Sequence, residues 1–318
     1  MKAIGIGVCA LLMLAGPLRA PAQTDKSQKP IHVDVNLVNV GFTVRDARGN
    51  LATNLVADDF EVFEDGVAQK ISFFAGAAEV PLTLGLVMDV SGSQEHFMKP
   101  HHRDLETFLK EVMGQHDRAF LVAFGNHVRL LNDYTDSPAA LLENLRDFEK
   151  GDHDYPEFAG GEDRILGTAF YDAIYYSVKE RLSASSSGRR ALLIFSDGED
   201  NSSAWDMMDA IEAAQSEDVR LFTLRYTESK HGRLNARNKY GIRVMDRIAL
   251  ETGGMHYDAR EGDLRTWFRQ ISDELRATYE LAYHSTNPNR DGSFRKVVIR
   301  AKTPGFTVRA KTGYYAYP

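Results

Sequence analysis

The sequence predicts an α/β fold: a doubly wound, mainly parallel sheet (79–278) inserted in a small antiparallel β-sandwich-like domain made from 31–78 and 279–318. Between Val80 and Thr278, short apolar runs alternate with amphipathic stretches, the pattern of a parallel sheet covered by helices on both faces. On either side of that region, period-two runs separated by Asp/Gly turns mark antiparallel strands. A third observation concerns function. The apolar run Leu82–Met88 ends in Asp89-Val90-Ser91-Gly92-Ser93 and so delivers small oxygen-bearing residues to the rim of the sheet. That rim is where open α/β sheets bind ligands.

Taken in order, residues 1–22 read as a secretory signal peptide. Lys2 precedes an apolar stretch from Ala3 to Leu18, and Ala20-Pro21-Ala22 gives an A-x-A cleavage pattern. The stretch is short for a bilayer span of about 20 residues and is broken by Gly16-Pro17, so no membrane span is expected after cleavage. The only cysteine, Cys9, leaves with it, and the mature chain can form no disulfide. Secretion, or residence in a bacterial periplasm or cell envelope, follows as the expectation. Residues 23–30 form a polar linker. The first half of the β domain shows alternation at Val33, Val35 and Leu37 and again at Val38, Val40, Phe42 and Val44, then strands around Phe60–Glu64 and Gln69–Phe74. Its second half has runs at Tyr279–His284, Phe294–Ile299 and Gly305–Arg309. The pentapeptide Gly-Phe-Thr-Val-Arg occurs at both 41–45 and 305–309, with different flanks.

Within the central region, strands are expected at 82–89, 118–124, 128–132, 190–197, 219–226 and 255–259. Helices are expected at 101–114, 137–148, 168–183, 204–216, 241–252 and 263–277. The last is the clearest amphipath, with Leu264, Trp267, Phe268, Ile271 and Leu275 on one face. A hydrophobic content of 43% with 26% charged residues fits a globular core rather than disorder. Loss of Lys2 and Arg19 takes the formal charge from −7 to −9, which argues against nucleic acid as a partner.

Two later segments join the first rim motif: Thr168 in Gly167-Thr168-Ala169-Phe170, and Asp197 at the end of Ala191–Ser196. Asp89 and Asp197 then supply two carboxylates, and Ser91, Ser93 and Thr168 supply three hydroxyls. Hard cations such as Mg²⁺ take oxygen ligands in near-octahedral geometry and keep positions for water or an acidic group. A hydroxyl-rich set with two anions leaves the ion electrophilic, and a partner's carboxylate completes it. Gly92 is read as giving the loop its freedom to curl. Each piece alone has an ordinary explanation, since Asp and Ser cap helices and Ser-Asp-Gly makes turns.

The three pieces, in this order and beside these elements, resemble the metal-ion-dependent adhesion site of von Willebrand factor type A domains. The flanks are similar to an exported VWFA-related family abundant in Acidobacteria, through Val44-Arg45-Asp46 with Gly49, Asp59-Phe60-Glu61-Val62 with Glu64-Asp65-Gly66, and the closing Gly313-Tyr314. The resemblance implies divalent-cation-dependent protein binding. Asp89, Ser91, Ser93, Thr168 and Asp197 would hold Mg²⁺ (or Mn²⁺ or Ca²⁺), and the partner would be a protein offering Glu or Asp. It also implies that the Thr168 loop and the final helix shift as the ion changes ligands. Gln94 stands where many relatives have Met, a position that does not ligate. Asp200 is read as a helix cap that could reach the ion through water, and with Gly92 it forms the surroundings of the ligand set.

Other groupings carry less. His96, His101 and His102 flank the first central helix and could suggest zinc, against the reading of a solvated helix start. The acidic, glycine-rich loop 149–163 either rims the ligand surface as a mobile loop or holds a second ion. Lys230, His231, Arg233, Arg237, Lys239 and Arg243 form a basic stretch, either a solvated loop or a docking surface for an acidic partner. No G-x-S-x-G, G-K-[ST] or H-E-x-x-H motif is present, so an enzyme is not expected. The alternatives to a binding module are a metal-dependent hydrolase or phosphoryl-transfer enzyme on the same Asp/Ser site, or a structural envelope component.

Overall fold

The computed structural model describes residues 37–76, 80–158, 167–183, 188–227 and 233–317. The leader 1–22, the linker 23–30, the alternation before Leu37, the acidic-loop residues from Ala159 to Asp163, and Lys230 and His231 lie outside the described residues.

Strands β1 (Leu37–Arg45), β2 (Phe60–Glu64), β3 (Val67–Gln69) and β4 (Ile71–Ala75) precede the central region. Strands β5 (Leu82–Asp89), β6 (Arg118–Phe124), β7 (Val128–Thr135), β8 (Arg189–Ser196), β9 (Arg220–Arg225) and β10 (His256–Asp258) build its sheet in the order β10-β9-β8-β5-β6-β7. All neighbours in it run parallel except β7, which pairs antiparallel with β6 at the edge. Burial on both faces explains the unbroken apolar run of β5, every residue of which is buried.

Helices α1 (Met98–Val112), α2 (Pro138–Glu149) and α6 (Leu264–Arg276) cover one face. The other is covered by α3 (Phe170–Tyr176), α4 (Met207–Ser216) and α5 (Ala236–Glu251). Residues Phe268, Ile271 and Leu275 of α6 are buried, while Leu264 and Trp267 pack part-buried against the same core, as the amphipathic spacing requires. The expected helix over 168–183 is α3 continued by a π-helical turn, Ser177–Leu182.

One helix starts earlier than its periodicity suggests. Asn235 Oδ1 accepts the Asn238 amide at 2.7 Å and caps α5 at Ala236, so Arg237, Lys239 and Arg243 lie on the helix rather than in a loop before it. The first turns of α5 are polar, and the hydrophobic pattern becomes visible only from Val244.

After α6 come β11 (Tyr279–His284), β12 (Phe294–Ala301), β13 (Thr307–Ala310) and β14 (Gly313–Tyr315). They pair with strands from the other end of the chain in two four-stranded sheets, β13-β1-β11-β4 and β14-β12-β2-β3. Val40, Phe42, Phe60, Val62, Tyr279 and Leu281 meet between the two sheets, with Phe42 stacked on Tyr279 at 5.4 Å and edge-on to Phe60 at 5.0 Å. Glu274 of α6, fully buried, ties this layer to the central region. It accepts from Arg45 at 2.7 Å, Arg220 at 3.1 Å and Arg309 at 3.2 Å.

Candidate functional site

The chain leaves β5 to form β6 on one side and returns to form β8 on the other, so the order of the sheet reverses beside β5. Such a switch point opens a crevice at the carboxyl ends of the strands. Asp89 ends β5, and Ser196 ends β8 next to it, with Asp197 directly following. Both carboxylates are buried, at 0% and 3% exposure.

Each oxygen of these carboxylates accepts a protein donor. Asp89 Oδ1 accepts from the Ser91 amide at 3.0 Å and Oδ2 from Ser196 Oγ at 2.6 Å. Asp197 Oδ1 accepts from the Glu199 amide at 3.0 Å and Oδ2 from Gln94 Nε2 at 2.9 Å. Burial, reinforced by the negative charge of Asp197, pushes the Asp89 carboxyl up to about 7. Burial and the same neighbour also raise Glu199.

After Asp89 the chain turns through a 3₁₀ segment, Gly92–Phe97, that runs into α1. The turn sets Ser91 Oγ 3.2 Å from Ser93 Oγ. Ser91 is buried and Ser93 exposed, so the hydroxyl pair runs from the crevice to its mouth. Gly92 does not supply the expected freedom. It is absent from the positive-φ residues, and a Cβ on it would meet nothing within 4 Å, so the 3₁₀ turn itself makes the curl.

Thr168 sits on the same rim, held by its backbone. Its amide donates to Asn201 Oδ1 at 2.7 Å, and its carbonyl accepts from the amides of Asn201 and Ser202. The next amide, Ala169, donates to the Gly125 carbonyl at 2.7 Å, and a Cβ on Gly125 would lie 3.8 Å from Ser91 Cα. Gly167 shares with Ser91, Gly92, His127, Arg129 and Phe148 the lining of a cleft of about 440 Å³ beside the Asp89–Ser93 loop.

Asp200 is a cap, but of a different helix from the one that follows it. Its Oδ1 accepts from the Phe170 amide at 2.9 Å at the start of α3, while α4 is capped by Asp206. Burial raises its carboxyl. Asp200 thereby braces the Thr168 segment.

His101 contradicts the solvated helix start. It is 0% exposed, with its ring 4.3 Å from that of Tyr226, neither ring nitrogen has a hydrogen-bond partner among the described residues, and burial pushes its pKa down to about 3. Among the described residues no three His, Cys, Asp or Glu side chains gather as a metal cluster, so the histidines offer no zinc site there. The rim has two carboxylates and depends on hydroxyls for the rest. Their chemistry fits a hard, oxygen-seeking cation, because two buried carboxyl groups lie side by side and neither forms an ion pair among the described residues.

Three contributors escaped the sequence reading. Ser196 and Asn201 lie beside motif residues but read as strand end and loop, and Gln94 reads as a departure without consequence. Their common signal is a polar residue immediately next to the motif.

A mainly parallel sheet with an oxygen-lined crevice at its switch point defines a class of ligand-binding α/β domains. The von Willebrand factor type A domain family matches residues 84–265, and the chain belongs to that family. No curated protein matches the sequence. Among solved structures, it is similar to an aerotolerance-related membrane protein from Bacteroides fragilis NCTC 9343, at 13% identity and a TM-score of 0.46, over 61% of this chain and 98% of that one. BatB from Bacteroides thetaiotaomicron gives 16% identity and a TM-score of 0.45, over 61% and 97%. A mutant of the PilB minor pilin from Streptococcus sanguinis gives 12% and 0.42, over 63% and 62%.

Proposed function

We propose that this chain is an exported, divalent-cation-dependent protein-binding module of the bacterial envelope, of the VWFA-related kind that its flanking motifs resemble. Asp89, Ser91, Ser93, Thr168 and Asp197 would hold Mg²⁺, or Mn²⁺ or Ca²⁺, and the partner would bring a Glu or Asp. The observation that supports this reading is the pairing of two buried carboxylates at the switch point, with hydroxyls leading outward from them. A bound cation supplies a Lewis-acidic position for one carboxylate oxygen of the partner.

The protein's own residues prepare that position. Ser196, Gln94 and two backbone amides fix the carboxylates before any ligand arrives. Ser93 stands at the exposed end, where a partner would approach. Binding is favoured over hydrolysis by the donors that hold the carboxylates: they are amide and hydroxyl groups, with no histidine or lysine among these four. His96, the nearest candidate base in sequence, is exposed on the 3₁₀ turn. No helix among the described residues is long and apolar enough to cross a membrane.

The test is titration calorimetry with MnCl₂, followed by crosslinking in the envelope with and without EDTA. The expected result is one cation per chain, lost in Asp89→Ala, which stays folded because a charge repulsion is removed. Crosslinks should disappear in EDTA and in Thr168→Ala. No uptake by the wild type, or capture that is equal in EDTA, overturns the proposal.

A further inference from the structure

Gln94 is 0% exposed, yet among the described residues one end of its amide has no partner: Nε2 donates to Asp197 Oδ2 at 2.9 Å and to the Tyr226 carbonyl at 3.2 Å, while Oε1 is buried and meets no donor. The orientation is fixed by those two acceptors, since the flipped amide would set oxygen against oxygen at both. Burying an amide with half of it unpaired costs stability, and an apolar side chain of the same length would fill the space without that cost. Packing alone therefore does not account for a glutamine here. What the glutamine adds is a grip on Asp197.

That grip closes a pattern. Asp197 is held at Oδ1 by the Glu199 amide of its own segment and at Oδ2 by a side chain 103 residues away, so it is tied at both oxygens to two separate parts of the fold. Asp89 is tied at both of its oxygens in the same manner. A carboxylate held from two sides does not turn readily to offer both oxygens to one ion.

Ca²⁺ takes six to eight oxygens at about 2.3–2.6 Å, often through two-oxygen carboxylate contacts in flexible sites. Mg²⁺ takes six at about 2.0–2.1 Å and keeps waters. Mn²⁺ suits the same octahedral oxygen set as Mg²⁺. We infer that Gln94 is a positioning residue that sets the cation preference of the rim: by pinning Asp197 it limits that carboxylate to one-oxygen contact and favours Mg²⁺ or Mn²⁺ over Ca²⁺. The inference rests on the proposed cation site and names what selects among cations there.

The experiment titrates the protein separately with MnCl₂ and CaCl₂ in the calorimeter. Wild type is compared with Gln94→Met, which keeps length and loses the donor, and with Gln94→Asn, which keeps the amide and loses the reach. Both variants should lower the Mn²⁺-over-Ca²⁺ preference about tenfold, taking as the scale the change in metal affinity that loss of a group behind a ligand commonly causes. Most of the change should come from tighter Ca²⁺ binding. A merely structural role would weaken both cations together and leave the ratio alone. If one variant fails to fold, the other decides. Wild-type protein that takes up neither cation rejects the cation site itself. Wild-type uptake with a ratio unchanged within about twofold in the folded variants rejects the role of Gln94 and leaves the site standing.

Discussion

Alanine at Gly241 probes whether Asp197 is placed by backbone packing. Gly241 lies on α5 against the end of β8. A Cβ there would sit 2.2 Å from the Asp197 carbonyl oxygen and 3.3 Å from its carbonyl carbon. From the other side, a Cβ on Gly198 would meet the Gly241 carbonyl at 2.6 Å. Ordinary contact begins near 3.4 Å, so the two backbones must part by about 1 Å. Overpacking of this kind costs about 1–3 kcal/mol. The displacement should fall on Asp197, because α5 is anchored in the core by Val244, Met245 and Ile248, whereas residues 198–205 are a loop. Metal–oxygen distances of about 2.0–2.1 Å do not absorb a shift of that size, and Mn²⁺ affinity should fall about 10- to 100-fold. Gly92→Ala is the control, with open space around its Cβ, and it should change stability by less than about 0.5 kcal/mol. Urea unfolding in EDTA and calorimetric titration with MnCl₂ read the two effects separately. Gly241→Ala that loses stability but keeps its Mn²⁺ affinity within about twofold would show that the helix yields and not the loop, and would refute the reasoning.

Two further outcomes follow from buried charge. The folded-state pKa of His101 lies below its unfolded value, so its stability contribution is full above about pH 6.5 and is lost as pH falls toward 3; at pH 5 the loss is about 2 kcal/mol. Urea midpoints at pH 7 and 5 should converge in His101→Leu, and an unchanged pH slope in that variant would remove His101 as the cause. Glu274→Gln leaves Arg45, Arg220 and Arg309 facing one another around a neutral group and should cost about 3–5 kcal/mol. Arg45→Met, at a position with a partly exposed side chain, should cost only about 1 kcal/mol. A loss below about 1 kcal/mol in Glu274→Gln would mean that the cluster does not hold the two layers together.

The central strands of the sheet were legible because a parallel strand buried on both faces writes itself as a mainly apolar run, as β5 and the Ala191–Phe195 part of β8 do. Helix starts were less so. At α5 the cap Asn235 precedes two polar turns, and periodicity cannot register a turn that faces solvent. Asp89 and Asp197 of the proposed ligand set were placeable at the rim, because one ends β5 and the other directly follows β8. The bracing of the set was not, because Gln94, Ser196 and Asn201 act through contacts between segments far apart in sequence, and no local pattern encodes such a contact. Gly92 misled for a related reason: a glycine beside a motif suggests backbone freedom, but only the φ angle and the neighbours decide whether it is needed.

The repeated pentapeptide shows how a sequence feature with no evident meaning acquires one from pairing. Gly41–Arg45 and Gly305–Arg309 meet as antiparallel neighbours, with Val44 opposite Val308, Arg45 opposite Thr307 and Thr43 opposite Arg309. Opposed residues share a face, and so do residues two apart, so both arginines and both threonines fall on one side of the ladder while the valines fall on the other. The valines join the sandwich core. The arginines turn toward α6, where both bond Glu274 Oε1. Identical strands paired antiparallel about a near two-fold axis must present identical side chains diagonally, and a single buried carboxylate can then accept from both. The third arginine, Arg220, comes from β9 and reaches Glu274 Oε2 at 3.1 Å. One carboxylate on the last helix of the central region is thus gripped by its own sheet and by two strands from opposite ends of the chain. Any displacement of α6 linked to the rim would have to break or carry with it those contacts to β1 and β13.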